Sequence, residues 1–188
     1  MIESDDDAAL VARARRGDDD ACRRLMERHQ AAVARTIVGM LGSRDDADDA
    51  GQETFVRFFQ SLDAFRGDSS VRTYLVRIAM TTALNALRST RRRELRFVSD
   101  DSALERAVDP SAQIVPTDDA RATRIREALE SLKPDHRAVV VLRLLEERST
   151  KETAEILQIP EGTVLSRLSR AVLQLRTTLG PVWEEFTE

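Results

Sequence analysis

Apolar side chains recur at three- and four-residue intervals along most of this chain, and no stretch alternates between apolar and polar residues as a strand would. Glycine and proline, which often end helices, number only 7 and 5 among 188 residues. The pattern therefore predicts an all-α fold. In the first half, helices are predicted at residues 8–16, 21–41, 46–62 and 71–93.

The stretch from 147 to 179 has the pattern of two short helices joined by a tight turn. Ser149 and Glu152 have the spacing of a capping box, which predicts the start of the first helix. Pro160 interrupts that helix because proline lacks an amide hydrogen. Two such helices are typical of a helix-turn-helix that enters a DNA major groove, with an ordinary helical hairpin as the alternative. The polar face of the second helix carries Thr163, Ser166, Arg167 and Arg170.

Between residues 97 and 120, serine, aspartate and proline break the helical period, so this segment is predicted to be a linker. A helical turn at residues 103–108 is compatible with its composition. The prediction thus divides the chain into a helical domain at 1–96, the linker at 97–120, and a second helical domain at 121–188 that contains the helix-turn-helix.

The chain has 29 Lys and Arg residues against 33 Asp and Glu residues, which gives a formal net charge of −4. This balance argues against a nonspecific coat for nucleic acids. Aspartates crowd the first third, whereas arginines dominate residues 66–96, so two kinds of partner are expected. The one cysteine excludes an internal disulfide and is typical of a reducing compartment. Because no apolar run is long enough for a membrane helix and the N-terminus is unlike a signal peptide, we expect a cytoplasmic protein without membrane insertion.

Residues that would indicate catalysis or metal binding are few. The four aspartates within residues 45–49 lack the glycine and the final glutamate of a calcium loop. Cys22 and His29 provide two ligands, too few for a zinc site. The sequence shows neither a nucleophile paired with a base nor a glycine-rich phosphate loop. We therefore expect no metal site, no cofactor and no enzymatic activity.

Two blocks of the chain resemble a known family. Residues 45–93 resemble the second conserved domain of bacterial RNA polymerase sigma factors of the extracytoplasmic-function type, and residues 128–176 resemble their fourth domain. The resemblance implies a transcription initiation factor that binds core RNA polymerase and directs it to specific promoters. The first domain would open the downstream (−10) element, and the second would read the upstream (−35) element as duplex. An anti-sigma factor is a further partner by family habit. The most specific matching pieces are Gln52-Glu53-Thr54-Phe55, Phe65-Arg66-Gly67 and Gly162-Thr163-Val164.

The resemblance also implies roles for individual side chains. The residues expected to bind polymerase form a polar stripe on a predicted helix, and an ordinary solvated face is the alternative. For Phe65, the alternative role is that of a buried loop anchor. Core polymerase is expected to contact Asp49, Gln52, Glu53 and Arg57. The downstream element is expected to contact Phe65, Arg66, Ser69, Arg72, Tyr74, Arg77, Thr81 and Arg88. The upstream element is expected to contact Thr150, Thr163, Ser166, Arg167 and Arg170.

The chain departs from the family pattern at several positions. Met80 and Thr81 stand where family members commonly carry Arg-Asn, so a weaker or different downstream specificity is expected. Gly51 lies inside a predicted helix, where glycine costs about 1 kcal/mol of stability relative to alanine. Close packing of another group against this residue would explain it. Leu165 replaces a usual lysine, and it either touches a thymine methyl or packs against a protein partner.

Two other functions remain as alternatives. The last block also resembles helix-turn-helix regulators of the LuxR type, but these need an upstream α/β receiver domain, and the first hundred residues show no alternating strands. The departures above also allow a degenerate sigma-like protein that acts as a protein-interaction switch. For the sigma factor, we expect weak promoter binding by the acidic chain alone and strong binding together with core polymerase.

Overall fold

The computed structural model describes residues 6–42, 45–98 and 118–180, and within those ranges every regular element is a helix. The predicted all-α fold is confirmed. The predicted helical turn at 103–108 and most of the predicted linker lie outside the described residues. The helices are α1 (Asp7–Ala14), α2 (Asp19–Leu41), α3 (Asp45–Gln60), α4 (Val71–Val98), α5 (Asp118–Ser131), α6 (Pro134–Val140), α7 (Thr150–Leu157) and α8 (Glu161–Leu179).

Helix boundaries follow local capping chemistry. Asp18 starts α2 because its side chain accepts hydrogen bonds from the backbone N–H groups of Asp20 and Ala21, at 3.0 and 3.2 Å. Gly42 ends α2 with a φ of 76°, a left-handed conformation that glycine adopts without steric cost. Helix α3 stops at Gln60, two residues earlier than predicted, and a 3₁₀ turn follows at Leu62–Ala64.

The predicted domain boundaries at 1–96, 97–120 and 121–188 stay a prediction. Helix α4 continues through Val98 and α5 begins at Asp118, so helical residues reach into both ends of the predicted linker.

The core of the first half lies between α1, α2, α3 and α4. Leu25 of α2, Phe58 of α3 and Leu75 of α4 are completely buried there. In the second half, Ala128 of α5 and Leu132, which follows that helix, pack with α8, and α7 packs on α8 through a smaller apolar cluster. These cores hold α3, the start of α4 and α8 as rigid platforms for the polar side chains described below.

The two halves pack directly against each other. Ala138, Val141, Leu142 and Ile156 belong to the same buried cluster as the core of the first half. A π-helical turn at Val141–Leu145 continues α6 and approaches Gly39 of α2. A β-carbon at that glycine would lie 3.0 Å from side-chain methyls of Val141 and Leu145. Glycine at this position therefore permits the close approach.

Arg137 fastens the α5–α6 turn to the end of α2. Its guanidinium is buried and donates to the backbone carbonyl of Met40 at 2.6 Å and to that of Leu132 at 3.3 Å. It also donates to the carbonyl of Glu130. One side chain thus satisfies carbonyl groups at two helix ends that have no partner within their own helices.

Candidate nucleic-acid interface

The helix-turn-helix predicted from 147 to 179 is present. Ser149 accepts from the N–H of Glu152 at 3.1 Å, and the Glu152 carboxylate accepts from the Ser149 N–H at 2.9 Å, which completes the capping box. The Ser149 hydrogen bonds hold the pKa of Glu152 below its usual value. Gln158 ends α7 in a left-handed conformation with a φ of 54°. After this turn, α8 buries Val164, Ala171 and Leu175, which orients its opposite face outward.

The residues expected to read the upstream element lie at this helix pair. Ser166 and Arg170 of α8 are exposed, and Thr163 is half-buried at its start. Thr150 lies half-buried in the first turn of α7. Leu165 projects from α8 with 55% of its surface exposed, so it packs against nothing large within the described part of the chain.

Arg167 has a partner that was not predicted. Its guanidinium lies 3.4 Å from the carboxylate of Asp135, in the first turn of α6. The neighbouring His136 has its pKa lowered, first by burial and then by the positive charges of Lys133, Arg167 and Arg170. The first turn of α6 therefore lies beside the basic face of α8. Sequence spacing gives no signal for this contact.

The loop between α3 and α4 is fixed at its base and exposed at its tip. Arg15 of α1 donates to the backbone carbonyl of Leu62 at 3.0 Å and to that of Phe65, which anchors the start of the loop. Gly67 turns the chain with a φ of 80°. At the tip, Arg66 is exposed and Ser69 is half-buried. The Ser70 hydroxyl then caps α4 by accepting from the N–H of Thr73 at 3.1 Å.

The aromatic residues of this region lie under the loop. Phe65 is 9% exposed and its ring centroid lies 5.0 Å from that of Tyr74. The hydroxyl of half-buried Tyr74 donates to Ser61 at 3.0 Å. In this arrangement Phe65 anchors the loop, and a base could reach its ring only if the loop moved. Its contact with the downstream element stays a prediction.

The remaining residues expected at the downstream element follow one another along α4. Thr81 and Arg88 are exposed, and the Thr81 hydroxyl donates to the carbonyl of Arg77 at 2.9 Å. Arg77 is half-buried, and its Nε has no hydrogen-bond partner among the described residues. Met80, one of the departures from the family pattern, is 1% exposed and belongs to the core.

Arg72, at the start of α4, binds a carboxylate from the other half of the chain. Glu146 follows the π-helical turn, and its side chain is completely buried. Its Oε2 accepts from Arg72 at 3.0 Å and its Oε1 accepts from Nε of Arg35 at 3.0 Å. Nearby, Arg148 donates to the Thr73 hydroxyl at 3.0 Å. We call this contact, together with the approach of the π turn to Gly39, the seam. The seam was not predicted, since its partners lie far apart in the chain.

The expected polymerase-binding residues form one polar stripe on α3. Asp49, Gln52, Glu53 and Arg57 are all exposed, and Arg57 donates to Glu53 at 2.6 Å. The stripe faces away from Phe55 and Phe58, which are buried. Val56 lies among these residues and is 48% exposed, so the stripe combines charge with a small apolar area.

The residues considered as metal ligands are not grouped into a metal site within the described residues. Nε2 of His29 lies 2.9 Å from the Asp7 carboxylate, which also binds Arg28 at 2.7 Å, so His29 fastens α1 to α2. In the described ranges, no group of three or more His, Cys, Asp or Glu side chains is arranged to hold a metal ion. Within the same ranges, no helix combines the length and apolarity needed to cross a bilayer.

Comparison with known proteins matches both halves. Residues 25–93 match the family model described as Sigma-70 region 2, and residues 122–175 match that of Sigma-70, region 4. The RNA polymerase sigma-H factor of Pseudomonas aeruginosa is 32% identical over 194 residues, covering 98% of this chain and 100% of the relative. The ECF RNA polymerase sigma-E factor of Salmonella typhi is 36% identical over 180 residues, covering 91% and 93%.

Solved structures show the same arrangement of helices. CnrH, solved in complex with the cytosolic domain of CnrY, has a TM-score of 0.68 and 27% identity, covering 93% of this chain and 97% of CnrH. The sigma factor RpoE of Bartonella quintana, solved with the anti-sigma factor NepR, has a TM-score of 0.65 and 24% identity. The match covers 85% of this chain and 96% of RpoE, and it supports the fold alone.

Proposed function

Because this chain belongs to the RNA polymerase sigma factors of the extracytoplasmic-function type, which are non-enzymatic transcription initiation factors that direct polymerase to promoters, we propose how its surfaces divide that work. The polar stripe of α3 binds core polymerase, the start of α4 and the loop before it bind the downstream element, and α8 reads the upstream element. The observation that carries this division is that α8 buries its apolar face and exposes the polar face opposite. The other half of the chain presents basic residues on α4.

The proposed role of α8 is to read duplex DNA in the major groove. Ser166 and Arg170 are exposed on one face, and the apolar cluster between α7 and α8 holds α7 beside that helix. An arginine can bind a guanine through two hydrogen bonds, and a serine hydroxyl can bond to any base edge. Exposed Leu165 is suited to a thymine methyl, which would give this chain a preference that a lysine lacks.

The proposed role of the α3–α4 loop is to hold unpaired bases of the downstream element. Arg66 is exposed at its tip, and Arg88 extends the basic surface along α4. Phosphate contacts from these arginines supply affinity without specifying sequence, whereas a base placed in the loop supplies specificity. Because Met80 is a core residue, its side chain does not contact the bases.

Core polymerase is proposed to bind the α3 stripe through charge complementarity. The Glu53–Arg57 pair presents both signs of charge, and Val56 between them supplies apolar contact. We also propose an anti-sigma factor as a partner, which is supported by the complex of CnrH with the cytosolic domain of CnrY. The cytoplasm, where polymerase acts, is the proposed location.

The alternatives have less support. A LuxR-type regulator would need a receiver domain upstream of the helix-turn-helix, and the first half instead matches Sigma-70 region 2. Nothing in the structure favours a degenerate interaction switch, since both the α8 face and the α3 stripe are formed.

Transcription in vitro with reconstituted polymerase tests the proposal. Core polymerase is mixed with this chain and with genomic DNA fragments of its source, and the 5′ ends of the transcripts are sequenced. We expect transcripts that start at fixed distances from two shared sequence elements. Transcripts identical to those of core polymerase alone would contradict it.

A further inference from the structure

We propose that Arg15, at the end of α1, is a positioning residue for the downstream element, because it holds the start of the α3–α4 loop in a fixed shape. The inference rests on the proposed function, since it assumes that this loop holds an unpaired base of the opened promoter. It adds a helix to which the proposed function gives no role. Residues 25–93 match Sigma-70 region 2, so α1 lies before the matched segment.

The first argument is where the Arg15 guanidinium binds. Its Nε donates to the backbone carbonyl of Leu62 at 3.0 Å, and its Nη2 donates to that of Phe65. Leu62 begins the 3₁₀ turn that follows α3, and Phe65 is the residue directly after that turn. A guanidinium presents its N–H groups in one rigid plane. Two bonds from this plane therefore fix both the position and the orientation of the turn.

The second argument is that the turn has weak hydrogen bonds of its own. The N–H of Phe65 bonds to the Leu62 carbonyl at 3.2 Å, and the N–H of Ala64 bonds to that of Ser61 at 3.0 Å. Hydrogen bonds of a 3₁₀ turn have poorer geometry than those of an α-helix. The turn therefore depends on a restraint from outside, and Arg15 supplies one at the point where the backbone continues into the exposed tip of the loop.

The third argument is that the side chains of the same segment are held as well. The ring of Phe65 packs against that of Tyr74, with 5.0 Å between the centroids. The Tyr74 hydroxyl donates to the Ser61 hydroxyl at 3.0 Å, which in turn donates to the carbonyl of Phe58 at 3.1 Å. Tyr74 thus holds side chains of this segment, whereas Arg15 holds its backbone. A segment that is ordered before it binds loses less entropy on binding.

The fourth argument is that α1 is itself firmly attached. Leu10 of α1 is completely buried in the core of the first half. At the start of α1, the Asp7 carboxylate lies 2.9 Å from Nε2 of His29 on α2. At its end, Nε of Arg13 donates to the carboxylate of Asp18 at 2.8 Å. Because both ends of α1 are tied to α2 or to its N-cap residue, the Arg15 side chain extends from a fixed support.

A fixed loop changes which base is accepted. Specificity is a difference between affinities, and flexible loops that can repack accept several ligands. With its start held by Arg15, the loop cannot adapt to a base of the wrong shape or the wrong hydrogen-bonding edge. Without that restraint, the loop adjusts to other bases at lower cost. Arg15 therefore acts on the selection of the base through the backbone of Leu62 and Phe65.

The test measures base selectivity in the complex with polymerase. The probe is a forked DNA whose unpaired non-template strand carries the downstream element, taken from the transcripts of the reconstituted polymerase. Each unpaired base is replaced in turn, and competition binding gives the ratio of affinities for the preferred and the replaced base. The variant Arg15→Lys keeps the positive charge and removes the planar pair of donors. The matched control is Arg16→Lys, the same change at the neighbouring exposed residue.

We expect the unmodified chain to favour the preferred base by about tenfold at one unpaired position or more, equivalent to about 1.4 kcal/mol. Arg15→Lys should lower this ratio to about twofold at one such position, because the restraint on the loop is lost. Arg16→Lys should keep the ratio of the unmodified chain. Affinity for upstream duplex should be the same in all three proteins, since α8 lies in the other half of the chain.

Hydrogen exchange in the free chain separates positioning from direct contact with DNA. The N–H of Phe65 should exchange about tenfold faster in Arg15→Lys than in Arg16→Lys, because the turn opens more often. Circular dichroism verifies that both variants are folded, as expected for changes at exposed residues. If selectivity falls while this exchange rate stays the same, Arg15 contacts the DNA itself and is not a positioning residue.

Unchanged selectivity in Arg15→Lys, or an equal loss in Arg15→Lys and Arg16→Lys, would also overturn the inference. Either result leaves the proposed function intact as long as the unmodified chain still prefers one base in the unpaired strand. If the unmodified chain shows no such preference, the proposed role of the loop is rejected, and the inference fails with it.

Discussion

The two basic surfaces of this chain use the same kinds of side chain, but they differ in what their arginines bind. On α8, Arg170 is exposed and Arg167 pairs with Asp135 of the same half. On α4, Arg72 binds Glu146 from the other half, at a carboxylate that solvent does not reach. The α8 surface is therefore complete within the second half of the chain, whereas the start of α4 is occupied by a distant part of it.

This difference gives a physical reason to expect weak DNA binding by the free chain. The net charge of −4 alone already predicts such weakness. Net charge acts over long distances and is screened by salt, whereas the buried Glu146 carboxylate binds Arg72 at short range and is screened much less. We therefore predict that polymerase binding raises the DNA affinity of the downstream surface more than that of the upstream surface.

The largest effect is expected at the polymerase stripe, because its charges would be buried against a protein partner. Arg57→Glu reverses the charge opposite Glu53 and should weaken binding to core polymerase by about 2–5 kcal/mol, the usual cost for a charge buried on association. Competition binding with labelled chain measures it. The exposed pair itself contributes only about 0.3–0.5 kcal/mol to stability, so the variant should unfold at nearly the same denaturant concentration. Unchanged affinity for polymerase would show that α3 presents an ordinary solvated face.

The next largest effect concerns the cohesion of the two halves. Arg137→Met removes a buried guanidinium that binds the carbonyl groups of Met40 and Leu132. We expect the free energy of unfolding to fall by about 3 kcal/mol, because buried carbonyl groups lose their partners. Equilibrium unfolding in urea measures this loss. If the unmodified chain unfolds in a single cooperative transition and the variant in two, Arg137 couples the two halves.

An intermediate effect is expected on the upstream surface. Arg170→Ala should weaken binding of upstream duplex by about 1–3 kcal/mol if the arginine contacts a base. If Arg170 contacts only a phosphate, the substitution should instead reduce the slope of log affinity against log salt concentration by about one. The loss should be equal in the free chain and in the polymerase complex, because nothing in the described residues covers Arg170. A loss confined to one of these states would contradict the view that this surface is always available.

A smaller effect tests a position that neither surface uses. Gly51 lies within α3, and a β-carbon there would meet nothing within 4 Å. The close packing that would have explained this glycine is therefore absent among the described residues. Gly51→Ala should raise the free energy of unfolding by about 1 kcal/mol, measured by thermal denaturation. If it weakens polymerase binding as well, the glycine leaves room for the partner.

The smallest effect is a dependence of upstream binding on pH. Burial and the charges of Lys133, Arg167 and Arg170 lower the pKa of His136 in the free chain, and Asp135 opposes them. DNA phosphates beside the same arginines would raise that pKa, so the complex binds a proton that the free chain does not. Affinity for upstream duplex should therefore rise as pH falls toward the lowered pKa of His136, by about threefold. His136→Gln should bind with the same affinity throughout this range, and a pH dependence that survives the substitution would assign it to another group.

Local features of the fold could be predicted from the sequence, because their causes are local. Ser149 and Glu152 form the capping box that their spacing indicates, and Gly42 ends α2. The α3 stripe is exposed because Phe55 and Phe58 turn inward at helical spacing.

The seam could not be predicted, since its cause is tertiary. Arg35 and Glu146 are separated by 111 residues, and Arg72 and Glu146 by 74. A glutamate after an apolar helix gives the same sequence pattern whether its side chain lies in solvent or binds two distant arginines. The π-helical turn that directs it inward also leaves no clear signal in the apolar run before it.

The most direct test of this account is the distance between the two halves, measured by pulsed electron spin resonance. Nitroxide labels are attached through Glu27→Cys on α2 and Leu173→Cys on α8, both exposed positions, in a Cys22→Ser background. We expect one narrow distance distribution for the free chain and a shift to longer distances when core polymerase is added. The same distribution with and without polymerase would contradict the central claim that α4 and α8 bind two separate promoter elements.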